Sequence, residues 1–535
     1  MSEAATSVNP GLSQPLLAKR TSPKWMISAL LTTAIVALPV LSVIFLAFFP
    51  EENIWPHLIE TTLPRYLTTT LKLMIGVGAL TLVIGLASAW AVTMCEFPGR
   101  KFFEWAMLLP FAVPAYVIAY VYTSLLDYAG PVQGALRDLF GWSSAADYWF
   151  PEIRSLEGAT LMIGLVLYPY VYLLARAAFL EQSPSLFAVS RSLGHSALST
   201  FFRVVLPIAR PAVAVGLSLV LMETLNDFGT VDFFAVQTLT AGLFDTWMNL
   251  GNLGGAAQIA TTMLIFVVIL VTLERYSRRR QQQFAARDNR EPIQRFTMSF
   301  PRQMICVAVC ALPVLFGFVI PGATLGLYAW EYFGESWNPD FVRNTFNSLF
   351  LSGTAALTTL LIGVTLAYSR RLHNTRKMQV LMRLSSLGYA MPGAVLAVGV
   401  IVPLAGFDNW LDSLMRDIFG ISTGLLLSGS AFALVFAYTV RFLAVSAGSV
   451  ESALQKITPS MDMASRSLGH TPGNTLVRVH LPMLRGTLVT AALVVFVECM
   501  KDLPATLILR PFNFETLATY VYPFAPGPRR APGPS

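Results

Sequence analysis

A polar, basic segment occurs twice in a chain that is otherwise apolar. Residues 184–207 read PSLFAVSRSLGHSALSTFFRVVLP, and residues 459–482 read PSMDMASRSLGHTPGNTLVRVHLP. The copies lie 275 positions apart (459 − 184), align without a gap and share 13 of 24 residues. The shared run is Ser190, Arg191, Ser192, Leu193, Gly194 and His195, matched by Ser465, Arg466, Ser467, Leu468, Gly469 and His470. Packing against lipid gives no reason to keep such residues, whereas two copies of one docking surface do. A loop that merely links two spans is free to vary.

The local grammar of each copy is a helical hairpin. Ser183-Pro184 and Thr458-Pro459 start a helix with a capping hydroxyl and a proline at the first position. Gly194 and Gly469 suit the left-handed residue that ends one. A second short helix follows. Leu206-Pro207 and Leu481-Pro482 then break the chain before the next apolar run. The hairpin is expected to lie along the membrane face with its Ser, Arg and His residues open to a soluble partner.

The rest of the chain is membrane-like. It is 55% hydrophobic and 13% charged, with a mean hydropathy of +0.60, against about 25% charged residues in soluble domains. A pI near 9.2 could suggest nucleic acid, but the basic residues fall in a few loops between apolar runs, the positive-inside pattern, so no nucleic-acid partner is expected. The four cysteines, Cys95, Cys306, Cys310 and Cys499, form no CxxC pair and read as small apolar packing. Residues 1–24 start no signal peptide.

A bilayer core takes about 20 apolar residues per helix. Eleven runs qualify: 25–49, 70–93, 103–125, 158–179, 211–234, 256–273, 304–325, 348–368, 384–404, 425–446 and 483–507. Lys and Arg gather in the N-terminal tail and after the second, sixth and eighth runs, which makes that side cytoplasmic. Both repeated hairpins fall on it. An opposite loop is acidic, with Asp127, Asp138, Asp147, Glu152 and Glu157.

The repeat extends beyond the hairpins. Residues 112–115 (AVPA) match 390–393 (AMPG), and 222–227 (METLND) match 497–502 (VECMKD). Six spans separate the copies, so the halves share one orientation and the implied axis runs along the membrane normal. The expected division is a tail (1–24), a first half (25–273), a basic linker (274–303), a second half (304–523) and a Pro/Gly/Arg-rich end (524–535). A partner for the span at 256–273 should lie near 531–548. The last span of the second half is therefore expected to be missing, as in a truncation or a shifted frame.

Carboxylates inside spans are expensive and usually face a pathway or a partner. Glu223 and Asp227 are expected on one helix face of the fifth run, and Glu498 and Asp502 on the eleventh. They are candidates for lining the route of a hard cation. Lys501 stands where the first half has Asn226 and could neutralise one of them. No histidine or cysteine pattern gives a metal site, and no constellation of nucleophile and base stands out.

The hairpin resembles the cytoplasmic loop of ABC importer permeases: Glu-Ala-Ala, three residues, Gly, nine residues, Ile-x-Leu-Pro. Nine residues follow Gly194 before Val204-Val205-Leu206-Pro207, and nine follow Gly469 before Val479-His480-Leu481-Pro482. Ala188-Val189-Ser190 and Met463-Ala464-Ser465 replace the triplet. The fused layout and the run 221–230 (LMETLNDFGT) look like the ferric-iron importer permeases of Gram-negative bacteria. The resemblance implies an all-α polytopic protein of the bacterial inner membrane, with two tandem, parallel halves of the type I importer permease fold. It also implies two cytoplasmic ABC ATPase subunits as partners, a periplasmic substrate-binding protein that delivers Fe³⁺, and hairpins that couple to the ATPases. No Walker-type loop occurs here, so ATP is expected on the partner subunits, with no cofactor and no catalysis in this chain. The same machine with thiamine, a polyamine, sulfate or a phosphonate as cargo stays open, as does a secondary transporter driven by an ion gradient.

Overall fold

The computed structural model describes residues 23–182, 189–190, 192–279, 295–373 and 375–522. The helices used below are α1 (Pro23–Phe48), α2 (Leu63–Met94), α3 (Ala115–Leu126), α4 (Pro131–Phe140), α5 (Leu156–Leu180), α6 (Leu206–Asn226), α7 (Gly229–Phe233), α8 (Leu239–Phe244), α9 (Leu253–Arg279), α10 (Phe300–Val314), α11 (Ile320–Glu331), α12 (Pro339–Leu372), α13 (Gly393–Phe419), α14 (Ala431–Gln455), α15 (Pro459–Ser467), α16 (Leu481–Lys501), α17 (Pro504–Leu509) and α18 (Leu517–Val521). Among the described residues no strand forms beyond a single bridge between Cys95 and Phe296.

Among the described residues, ten helices are long and apolar enough to span a bilayer, and an eleventh passes if a bent pair is counted as one. That pair, Arg100–Ala112 and Ala115–Phe140, turns by 89° and corrects the straight third span expected at 103–125. The cause is Pro114, which has ψ 142° and sits at the cap of α3. Pro392 has the same conformation before α13 (ψ 142°), so the ninth span starts at Gly393 rather than near residue 384. Proline forbids the helical bond that would bridge the break.

The chain divides into two compact units that are not contiguous in sequence. Among the described residues, one comprises those from 23 to 45 together with those from 344 to 518; the other comprises those from 46 to 343 together with 519–522. In the first unit, α1 packs on second-half helices. The Thr33 hydroxyl bonds that of Ser385 at 2.9 Å, and the Trp25 ring stands edge-on to Tyr368 at 5.1 Å. In the second unit, α10 and α11 pack on first-half helices. The Tyr122 hydroxyl donates to the Phe316 carbonyl (2.7 Å) and that of Tyr328 meets Ser124 (3.1 Å). Each unit therefore takes its leading span from the other half of the sequence.

Inside each unit the same contacts recur. In α2, a Cβ on Gly85 would stand 2.7 Å from that of Val171 in α5; in α12, a Cβ on Gly363 would stand 2.4 Å from the Ser446 Oγ in α14. Helices that approach this closely leave room only for hydrogen. The Thr70 hydroxyl accepts from the Leu239 N–H at the start of α8 (3.0 Å), and Ser348 accepts from Leu517 at the start of α18 (2.7 Å).

Candidate functional site

The second hairpin is described throughout. Pro459 opens α15, as expected, but the Thr458 hydroxyl bonds Ser460 (2.9 Å) and caps no backbone N–H. At the far end Gly469 has φ 82°. Its N–H donates to the Arg466 carbonyl (3.0 Å) and the His470 N–H reaches back to Ser465 (3.2 Å). These two bonds satisfy carbonyls that the helix end leaves over, and they require a left-handed residue between them. The first hairpin repeats the geometry: Gly194 has φ 77° and the His195 N–H donates to the Ser190 carbonyl at 3.1 Å. Arg191 lies outside the described residues, as do 183–188.

The shared run has an inner and an outer side. Ser190 and Ser465 are buried, and their hydroxyls bond those of Thr200 and Thr475, each at 2.8 Å. These serines pin each hairpin closed rather than facing outward. Ser192, Leu193 and Gly194 are exposed, as are Ser467, Leu468 and Gly469. Leu193 is 70% and Leu468 77% exposed, an apolar knob beside each glycine. His195 (whose ring meets the Ser199 hydroxyl at 3.2 Å), Arg466 and His470 are half-buried at the rim.

Pro207 and Pro482 do not break the chain, which corrects the expected stop before the span. A π-helical turn precedes each, over Phe201–Val205 and Leu476–His480, and the helix continues into α6 and α16. Leu206 donates to Phe201 and Leu481 to Leu476. The wider turn accommodates the ring that would otherwise clash with the carbonyl four residues back. Leu206, Pro207 and Leu481 are half-buried here and Pro482 is exposed.

The hairpins differ in how they are anchored. Asp462, on the first turn of α15, is the one acidic residue in either copy. Its carboxylate accepts from Nε (3.1 Å) and Nη2 (2.5 Å) of Arg371, at the end of α12. Buried His480 stands 3.3 Å away on the other carboxylate oxygen. In the first half, the Gln182 side-chain amide donates to the Val205 carbonyl (3.0 Å). Sequence reading passed over Asp462 and Arg371. The signal was a lone acid in a repeat that otherwise carries only basic charge.

The carboxylates sit where spans end. Glu223 is in the last turn of α6, but the helix stops at Asn226 and Asp227 is extended (ψ 120°), so the two do not share a continuous helix face. Asp227 accepts from the N–H of Thr230 (3.0 Å) and Val231 (3.2 Å), which fixes α7. Asp502 is the counterpart at the end of α16 and accepts from the Ala505 N–H (3.2 Å) at the start of α17. Its other oxygen is 2.5 Å from Nη1 of Arg441, with both side chains buried. Glu498 pairs with Lys501 at 2.9 Å. The second-half acids are therefore offset by basic neighbours, Arg441 and Lys501. Among the described residues, no group of three His, Cys, Asp or Glu side chains could hold a metal ion.

The acidic segment between α3 and α5 lines an open cleft of about 950 Å³, with Asp127, Glu152, Arg154 and Glu157 among aromatic walls. Nearby, the backbone N–H groups of Ser144 and Ser143 hold the Asp147 carboxyl below its usual range.

Spans arranged in two repeated units, each carrying the same glycine-turned hairpin, define the membrane component of a transport machine. The chain belongs to the family described as binding-protein-dependent transport system inner membrane component, which matches residues 81–283 and 359–515. It is a multi-pass protein of the bacterial inner membrane and an ABC importer permease. It is 24% identical to the Fe(3+)-transport system permease protein FbpB 2 of Haemophilus influenzae over 87% of this chain and 85% of that one. It is 23% identical to the ferric transport system permease protein FbpB of Actinobacillus pleuropneumoniae, over 93% of this chain and 74% of that one. The molybdenum transport system permease protein ModB of Escherichia coli K12 matches at 24% identity, over 38% of this chain and 89% of its own.

Proposed function

We propose that this chain carries ferric iron across the inner membrane, driven by two cytoplasmic ATPase subunits that seat the hairpins, with iron delivered by a periplasmic binding protein. The observation that carries the coupling half of this reading is the duplicated closure at Gly194 and Gly469, with Leu193 and Leu468 presented in the same way. A linker has no need of two identical knobs. The cargo half rests on relatives that span most of the chain and whose names state ferric transport. ATP is bound and cleaved on the partners, and this chain converts their closure into alternating access.

Glu223 and Asp227 are proposed to line the cargo route; Glu498 and Asp502 contribute less charge there, because Lys501 and Arg441 offset them. The test is uptake of radiolabelled Fe³⁺ into proteoliposomes holding this chain, its ATPase and its binding protein. ATP-dependent uptake supports the reading. Uptake of molybdate or sulfate in place of iron would keep the machine and overturn the cargo.

A further inference from the structure

We infer that Arg371 is a positioning residue for coupling: with Asp462 it forms a rigid joint that passes displacement of the second hairpin into the helices of its unit. The inference rests on the proposal that the hairpins dock on ATPases, and it goes further in making the two hairpins unequal.

The guanidinium of Arg371 ties three elements. It sits on the last turn of α12. Nε and Nη2 hold the Asp462 carboxylate on α15. Nη2 also donates to the Ile457 carbonyl at 3.0 Å, and Nη1 donates to the Leu454 carbonyl at the end of α14. The fork is planar and its donors are fixed relative to one another, so the three elements cannot shift independently without losing charge-assisted bonds. Both partners are largely buried, at 15% and 10% side-chain exposure, so salt screens the pair little. His480, at the end of the π turn, closes the far side of Asp462 and packs edge-on against Tyr368 of α12 at 5.5 Å. The Tyr368 hydroxyl in turn donates to the Pro472 carbonyl at 2.7 Å. Both arms of the second hairpin are thus fastened to α12.

The first hairpin has no equivalent joint among the described residues. The last turn of α2 carries no basic residue, Val205 stands where the second copy has His480, and the bond from Gln182 is between neutral groups. A push on the second hairpin moves α12 and α14 as one body, whereas the first meets α2 through apolar packing, with Trp90 edge-on to Phe201 at 5.0 Å, and through no ion pair among the described residues.

The experiment compares the whole transporter, reconstituted with its ATPase and binding protein, carrying Asp462→Asn, Arg371→Lys or Asp462→Glu. Arg370→Met serves as a control, at a neighbouring arginine that pairs with Glu451 (3.5 Å) outside the joint. Copurified ATPase, ATP hydrolysis and Fe³⁺ uptake are measured together. Asp462→Asn is expected to lower uptake about tenfold while hydrolysis stays within about twofold, so that ATP spent per ion rises. Asp462→Glu restores most of the ratio and Arg370→Met leaves it unchanged. Unchanged uptake, or uptake and hydrolysis falling in proportion in an intact complex, overturns the joint. Should Asp462→Asn fail to accumulate, Arg371→Lys decides: it keeps the charge but loses the fork, and an unchanged ATP-to-ion ratio overturns the inference. If the wild-type chain does not copurify with the ATPase, the docking reading itself falls and takes the joint with it, a result distinct from intact docking without uncoupling.

Discussion

Gly469 and Gly194 show what one residue can decide. With φ near 80°, each occupies a backbone region that costs an L-residue about 1–2 kcal/mol. Gly469→Ala should loosen the hairpin by roughly that amount, seen as faster hydrogen exchange at the His470 amide and lower uptake with normal expression. Ser465→Ala removes the buried bond to Thr475 and should cost about 1 kcal/mol by the same exchange measurement. The glycines were legible in the sequence because few other residues end a helix this way. The direction of Ser190 and Ser465 was not, because a repeat preserves internal pins and docking groups alike. Asp462 was equally hidden, since its partner lies 91 positions away on another helix.

At the scale of elements, the two π turns set how each hairpin projects. A π turn holds one extra residue, which rotates what precedes it by about 100° relative to a regular helix. Pro482→Ala relieves the clash that favours the wide turn, and should reduce uptake several-fold without loss of assembly, as measured in proteoliposomes. The neutralised acids make a second case. Removing one member of a buried pair leaves an uncompensated charge, so Arg441→Met should destabilise by about 3–5 kcal/mol and lower the melting temperature of the purified protein. Adding Asp502→Asn to it should recover much of that loss. Hydropathy placed the spans, but a period of apolar residues carries no information on a proline-widened turn. Nor could it show that α6 and α16 stop one residue before their aspartates.

At the scale of the molecule, the repeat and the number of spans were legible from composition and offset alone. The exchange of leading spans was not, because an apolar face does not name its partner. The exchange has a direct consequence for splitting the chain. Fragments cut between residues 280 and 294 should each be degraded when expressed alone, since each unit lacks its leading span, and should accumulate when coexpressed. Accumulation of either fragment alone, followed by quantitative blotting of membranes, would contradict the exchanged arrangement.

The bond between Thr33 and Ser385 joins residues 352 positions apart. At about 5–20 residues per second, synthesis leaves α1 in the bilayer for roughly 20–70 s before its partner exists. During that interval the Thr33 hydroxyl has the Ala29 carbonyl of its own helix, 2.8 Å away, so no polar group is stranded in lipid. The nascent chain thus holds an unclaimed helix through most of translation. Its safe keeping falls to the insertion machinery, and a ribosome stalled between the halves would release a protein with one span waiting for a partner that never comes.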